Sequence, residues 1–374
     1  MAAGIIFSNL NDNTLSRLTT DRTVAAVPFG CRYRLVDFAL SNMVNANITE
    51  INLVTNYNYR SLVDHIGSGK DWDLARRSGG INIISPFQSA KENAKLYYTH
   101  LAALCSMQSY INEIKEDTVV LSDCDNICNI NLKEVIAYHK SSGAEITLVT
   151  QKVAGMGSIR NNAIYVKTDD DGRITDISYG NEISEEYPER HIGIFVIDTQ
   201  FLKQILVSSV AHNYSSLTKD IIGAGVKFRK YMTYCYDGYV APVSDFNDYF
   251  ERSIELTTNK FARESLLGVR ARPVYTKVHN SAPVIYTNDA SVKDSLIADD
   301  CIIEGTVENS IIFRGVKIGK GSVVKNSILF GGTYVGEGSH LNCVVVDKHS
   351  VICDNRNLSG HITMPFYIPR RSKI

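Results

Sequence analysis

Two hydrophobic rhythms follow one another along the chain. Over the first two thirds, short apolar runs alternate with segments of helical spacing. Residues 2–7, 51–54, 118–122, 145–151 and 193–197 read as strands, and 38–44, 59–66, 94–111, 132–140, 199–208 and 245–264 as helices. Residues 8–30 form a loop region, broken near its end by Pro28 and Gly30. NAIYVKT, the turn DDDG and RITDIS predict a hairpin over 162–178. Strand, loop, helix, strand is the grammar of a parallel α/β sheet. The sequence therefore predicts an α/β domain over 1–255 and a linker over 256–283.

From about Val284 the rhythm changes. The segments 292–298, 307–313, 324–330 and 340–346 echo one another at spacings of fifteen, seventeen and sixteen residues. Between them recur an aliphatic residue and a glycine, as in Ile318-Gly319 and Val335-Gly336. That is a hexapeptide repeat, in which three steps make one triangular coil of a parallel β-helix. A sandwich of short strands accounts less well for the echo. About four coils are expected over 284–374, with an open end that favours association.

Composition narrows the function classes. Net charge is −1 over 374 residues with 21% charged, which calls for neither nucleic acid nor an anionic membrane surface. No run reaches membrane-span length. The start, MAAGIIFSNLND, has no basic leader and too short an apolar run for a signal peptide. The eight cysteines include no CxxC pair and no completed zinc pattern, so reduced, mostly buried thiols in a cytosolic protein are expected.

The densest signal lies in TDRTVAAVPFGCRYRLVDFALSNMVNANITEINLVT, residues 20–55, where Arg32, Arg34 and Asp37 interrupt an apolar run. It resembles VPFGGKYRLIDFxLSNxxNSGI of the ADP-glucose pyrophosphorylases, sugar-nucleotide enzymes of bacterial glycogen and plant starch synthesis. The likeness continues through His191-Ile192-Gly193-Ile194-Phe195-Val196 (MGIYVFD in the family) and Lys219-Asp220-Ile221-Ile222 (KDLIP) into the repeat region. It implies a Rossmann-like, GT-A-like nucleotidyltransferase domain followed by a left-handed parallel β-helix.

Such an enzyme holds a triphosphate, a divalent metal and a sugar phosphate, and its catalysis is mostly positioning and charge neutralisation. The resemblance locates that work in four places, and all four are altered. The family's GGxGxRL loop reads Ser8-Asn9-Leu10-Asn11-Asp12-Asn13-Thr14-Leu15, with Thr14 at the arginine position. RAKPAV reads Arg22-Thr23-Val24-Ala25-Ala26-Val27, with Val24 replacing the lysine. One metal aspartate has its counterpart at Asp125 in Ser122-Asp123-Cys124-Asp125, while Pro242 replaces the other. A polar turn after a strand explains Asp123 and Asp125 equally well. FVEKP reads Ile177-Ser178-Tyr179-Gly180-Asn181, with Tyr179 for the glutamate and Gly180 for the lysine. The GTADAV helix start has no counterpart over 90–95.

A kept scaffold with four altered places resembles the noncatalytic, GlgD-type branch of the family, the regulatory partner of the catalytic subunit in Gram-positive bacteria. It implies a catalytically weak subunit that needs no cofactor, with Mg²⁺ serving only residual activity. Its partner would be a catalytic ADP-glucose pyrophosphorylase subunit in a heterotetramer, with a homo-oligomer as the form alone. The rivals are an active adenylyltransferase with an unusual phosphate loop and a stand-alone sugar-phosphate or nucleotide sensor. A β-helix acyltransferase using His340 or His349 fits poorly, since most of the length lies in the α/β part.

In the family, effectors bind between the two domains against arginines and lysines. Matched by position, Arg22 and Arg34 remain, Asp21 replaces a lysine, Pro28 replaces a further contact, and Arg314 and Lys317 lie close to the effector arginine. A phosphate or sugar-phosphate effector is thereby implied. The plainer alternative pairs Arg32 and Arg34 with Asp37 or the next helix, and leaves Arg314 and Lys317 as solvated corner residues.

Overall fold

The first strand sets the architecture. Ala2–Phe7 is buried throughout and lies between Glu50–Val54 and Thr118–Asp123, parallel to both. A strand paired on both edges and covered on both faces needs the unbroken apolar run that this segment has. Gly80–Ile84 extends the parallel edge. On the other side the long strand Glu189–Asp198 runs antiparallel to Thr118–Asp123, Ile146–Lys152 and Ala163–Thr168. Ile174–Gly180 completes the expected hairpin with Ala163–Thr168, and Tyr231–Cys235 brings the sheet to nine strands. The computed structural model describes residues 1–8, 10, 15–85, 97–153, 163–180 and 186–374.

Helices cover both faces. Leu35–Asn45 and Leu132–Ser142 pack on one side, and His100–Ser106, Gln108–Glu113 and Thr199–His212 on the other. Two expected helices are divided. The segment expected at 94–111 shows two short helices that meet at Met107. The one expected at 245–264 is Phe246–Thr258 followed by Lys260–Leu267. Asn259 makes that break, since its side-chain oxygen accepts from the Ala262 N–H at 3.1 Å and restarts the backbone. The second of these helices lies in the stretch read as linker, and its Ala262 and Leu266 are buried.

The C-terminal domain is a left-handed parallel β-helix of three sheets, each with five strands, so it has five coils where the echo spacing indicates four. Val307, Val324 and Leu341 stack inside along one sheet, and Ile303, Ile318, Val335 and Ile352 along another. One corner carries a ladder in which Asn309 donates to Asn326 at 2.7 Å and Asn326 to Asn342 at 2.9 Å. Asn309 and Asn326 have φ of +45° and +46°, a region in which asparagine is the commonest substitute for glycine.

The third sheet is pressed against the α/β domain. Ile311, Phe313, Ile328, Phe330 and Val345 share one apolar core with Phe246, Tyr249 and Phe250 of the closing helix. The two domains therefore share one apolar core across the seam.

Two buried histidines give the fold an acid limit. His139 Nδ1 lies 2.8 Å from Thr147 Oγ1, and His191 Nδ1 lies 3.0 Å from the Val149 carbonyl. Burial pushes both down to about 4 from an ordinary 6.5. The unfolded chain thus binds more protons between those values. Their stabilisation is complete above about pH 6.5 and is lost as pH falls towards about 4, by up to about 1.4 kcal/mol per pH unit for each histidine. Urea unfolding across pH 4–7 should show this decline, and His139→Gln should remove its share of the slope.

Candidate functional site

The cleft at the carboxyl ends of the central strands is where a parallel sheet places its ligands. Among the described residues it is lined by apolar side chains and two carboxylates. Phe7, Ser8, Leu10, Val24, Asp123, Cys124 and Asp125 line a cavity of about 10 Å³, room for about one water. Val24 is 3% exposed, in a short turn whose Ala25 N–H donates to the Ser8 carbonyl. The lysine position of the family therefore faces this cleft with an apolar, β-branched side chain. Thr14 and the residues at 90–95 lie outside the described residues.

Pro242 pairs directly with Asn126, and the Val243 N–H donates to the Asp125 carbonyl at 2.7 Å. The fold thus brings Pro242 beside Asp125, as the resemblance implies, but proline offers no ligand oxygen. Asn126 Nδ2 donates to Asp125 Oδ1 at 3.0 Å. Asp123 is engaged by His100, whose Nε2 lies 2.8 Å from Asp123 Oδ1. Burial opposes the imidazolium, but Asp123 and Asp125 outweigh it and raise the His100 pKa. Gly193, at φ +78°, lets this pair close up, since a Cβ there would stand 3.0 Å from Asp123 Oδ2. Among the described residues no three acidic, histidine or cysteine groups converge as metal ligands. Proline at 242 supplies no oxygen to such a group, while Asp125 and Asp123 each accept one side-chain contact at Oδ1.

At the sugar-phosphate position, the Tyr179 hydroxyl donates to the Thr218 carbonyl at 2.7 Å, and Lys219 Nζ lies 5.4 Å from its ring centre. Burial pushes the Tyr179 phenol up to about 12. Gly180 has open space where a Cβ would be.

Positive charge gathers at the domain seam instead. Arg22 is 3% exposed, and its Nη2 donates to both oxygens of Asp347 in the β-helix at 2.7 and 2.8 Å. Asp347 also accepts from the Tyr367 hydroxyl at 2.8 Å and from the Lys348 N–H at 2.6 Å. Arg22 Nη1 is buried with no hydrogen-bond partner among the described residues, as is Arg370 Nε. Arg34 donates to the Ser61 carbonyl at 2.6 Å and hydroxyl at 3.0 Å. Burial, with Arg22 nearby, lowers its pKa to about 10. Asp37 is already taken by the Arg34 N–H and by His65 Nε2, at 3.0 and 2.6 Å. Burial above all, and then the repulsion of Arg34, Arg22 and Arg370, brings the Lys348 ammonium down to about 7. Arg22, Arg34, Lys348 and Arg370 thus gather at the seam, with Asp347 and Asp37 as the carboxylates beside them.

Of the four anion-site residues read from sequence, Arg22 and Arg34 come together here. Arg314 and Lys317 do not complete the cluster. Arg314 is clamped by Asp299, Nε to Oδ2 at 2.8 Å and Nη2 to Oδ1 at 3.0 Å, and Lys317 points outward from an exposed strand position. Backbone bonds from Gly315 to Asp299, Gly332 to Arg314 and His349 to Gly331 put Asp299, Arg314, Gly331 and Lys348 on one corner of successive coils. The cation that joins Arg22 and Arg34 is thus Lys348, two coils beyond Arg314.

Comparison with known proteins agrees with this architecture. The nucleotidyl transferase family profile matches residues 11–230, and the GlmU-like C-terminal hexapeptide profile matches residues 281–360. The glycogen biosynthesis protein GlgD of Bacillus subtilis is 30% identical over 85% of this chain and 81% of its own length. The GlgD protein of Geobacillus stearothermophilus is 31% identical over 86% of this chain and 82% of its own. A glucose-1-phosphate adenylyltransferase of Thermosipho africanus is 31% identical over 86% and 77% respectively. A nucleotidyltransferase sheet joined to a hexapeptide β-helix, with relatives that match across both parts, places this chain in the ADP-glucose pyrophosphorylase family, among the glucose-1-phosphate adenylyltransferases and GlgD proteins.

Proposed function

We propose that this chain is a regulatory, catalytically weak subunit of glucose-1-phosphate adenylyltransferase in bacterial glycogen biosynthesis. It acts in the cytoplasm, bound to a catalytic paralogue as a hetero-oligomer, and requires no cofactor of its own. The observation that carries this reading is the redistribution of charge. The strand-end cleft presents Val24 and Pro242 where a nucleotidyltransferase needs a cation and a metal ligand. The domain seam holds Arg22, Arg34, Lys348 and Arg370, with Asp347 clamped on Arg22 and Asp37 on the Arg34 N–H. A phosphate or sugar phosphate bound at that seam touches both domains and so biases how they are held, which a paralogue on the same scaffold senses through the subunit contact. Relatives named GlgD and relatives named glucose-1-phosphate adenylyltransferase both occur in Bacillus subtilis, which suits a paired system.

The test is to mix the chain with the adenylyltransferase paralogue of the same cell and follow ADP-glucose formation and particle size. A larger mixed particle with raised activity or a changed effector response is expected. Arg34→Ala should blunt the effector response by at least about tenfold in half-saturating concentration, as loss of a charge-assisted anion contact does, and leave assembly intact. Separate elution with unchanged paralogue kinetics would overturn the regulatory reading.

A further inference from the structure

We propose that the cavity between the helix Thr199–His212 and the chain just after the π-helix Leu217–Gly223 is a ligand site, taking an unphosphorylated nucleoside with its base inward. The cavity measures about 310 Å³ and shares no lining residue with the strand-end cleft. That volume lies at the lower end of the range for small-molecule sites. One wall comes from Gln204, Ile205 and Ser208 of the helix. The other comes from Asp220 and Ile221 of the π-helix, a geometry that recurs at functional sites. The buried part of the lining is apolar except at one point. Phe201, Ile205 and Ile221 are buried, and so is Tyr231, which is 0% exposed. The Tyr231 hydroxyl is buried with no hydrogen-bond partner among the described residues. A Cβ on Gly225, which also lines the cavity, would stand 2.5 Å from Tyr231 Oη. The hydroxyl end of the ring is thus the part that reaches this wall, and the missing side chain leaves it room.

A buried hydroxyl without a partner is unfavourable, and a ligand atom that meets it recovers that loss. Burial pushes the Tyr231 phenol up to about 12, so it stays protonated and can donate. A sugar or polyol would carry several hydroxyls onto this apolar surface and find one deep partner for them. A flat heteroaromatic ring instead packs its faces on Phe201, Ile205 and Ile221 and presents one edge atom to Tyr231 Oη. At the mouth stand Phe228, 85% exposed, and Tyr214, whose ring stacks on His212 at 5.4 Å between centroids. The rim also carries an acceptor for ribose. Asp220 Oδ2 accepts from the Ser215 and Ser216 N–H at 2.7 and 2.9 Å, while Oδ1 accepts nothing among the described residues. Those two N–H groups hold its carboxyl below the ordinary range, and a carboxylate with one open oxygen suits a ribose hydroxyl. Phosphate finds no such welcome. Arg229, the one arginine or lysine of the lining among the described residues, is paired with Glu145 at 2.7 Å and lies over the Phe201 ring at 4.5 Å.

Equilibrium dialysis of the whole chain against labelled adenosine, guanosine, cytidine and uridine in turn is the test. At least one should bind saturably, at one per chain. Tyr231→Phe should fold with an unchanged or raised Tm, because its hydroxyl serves no partner, and should bind that nucleoside about three- to tenfold more weakly. Phe228→Ala, at an exposed position, should also fold and should weaken binding by at least about fivefold, as loss of a base-stacking ring does. The 5′-monophosphate should displace the labelled nucleoside at least about tenfold less effectively than the unlabelled nucleoside does. Binding that both variants leave unchanged would put the nucleoside elsewhere and overturn the site. Absence of saturable binding by all four would overturn it as well, and would leave water as the partner of the Tyr231 hydroxyl. Equal displacement by the monophosphate would overturn the preference for an unphosphorylated ligand.

Discussion

Replacing Asp347 with alanine should destabilise the folded chain by about 3–5 kcal/mol, the usual cost of leaving one partner of a buried ion pair without the other. Asp347 and Arg22 are 1% and 3% exposed, so water cannot replace the lost carboxylate. The deletion also removes the carboxylate that Arg22 and Lys348 share, leaving Asp37, beside Arg34, as the nearest remaining negative charge. Arg22→Ala should cost less, because Asp347 keeps the Tyr367 hydroxyl and the Lys348 N–H. Urea unfolding at pH 7 measures both losses. Sulfate should return part of the stability of Asp347→Ala by mass action, about 2.7 kcal/mol at a hundred times its dissociation constant. It should also bind this variant more tightly than the parent, because the internal carboxylate no longer occupies Arg22. A loss below about 1 kcal/mol, or no response to sulfate, would mean that Arg22 finds another partner and that the seam is not an anion site.

How much of this was legible in the sequence depends on how far each feature is local. The apolar run of residues 2–7 and the hexapeptide echo are local signals, and both give the elements seen. The fifth coil breaks the echo. Its second strand is the polar-edged Asn357–Ser359, and residues 360–365 intervene before Phe366–Ile368. Asn259 interrupts an amphipathic pattern that continues unbroken on either side, so periodicity alone reads one helix where there are two.

The proposed anion site was half legible for a geometric reason. Arg22 and Arg34 sit in the stretch that carries the family resemblance. Arg314 and Lys317 were chosen by proximity along the chain, whereas a β-helix corner recurs with the coil, through Arg314, Gly331 and Lys348. Following that period would have reached Lys348. It would not have reached Arg370, which lies beyond the interrupted fifth coil. His100 gave no signal at all. It is an ordinary histidine at a helix start, and only the packing of that helix against the sheet brings it to Asp123.

The largest effect expected of this chain is in turnover. Assayed alone with ATP, glucose 1-phosphate and Mg²⁺, it should form ADP-glucose at least about a thousandfold more slowly than a catalytic adenylyltransferase. Each preorganised charge facing the transition state contributes about 2–4 kcal/mol, though such terms do not add simply. Here Val24, Gly180 and Pro242 each stand where such a group is needed. The three are not equally repairable. Gly180→Lys meets no neighbour among the described residues and should leave stability almost unchanged. Val24→Lys forces an ammonium into a site that is 3% exposed, and should cost stability unless a phosphate lies opposite. Pro242→Asp restores a carboxylate beside Asp125, across the Pro242–Asn126 pairing, and so rebuilds the pair that a divalent ion requires. Manganese titration should therefore separate the variants, with Pro242→Asp gaining affinity for the ion and Gly180→Lys gaining none. Neither alone should restore turnover, since a metal without the phosphate cation, or the cation without the metal, leaves charge in the transition state unopposed. A parent turnover within tenfold of a catalytic subunit would overturn the assignment of catalytic weakness, whatever the variants do.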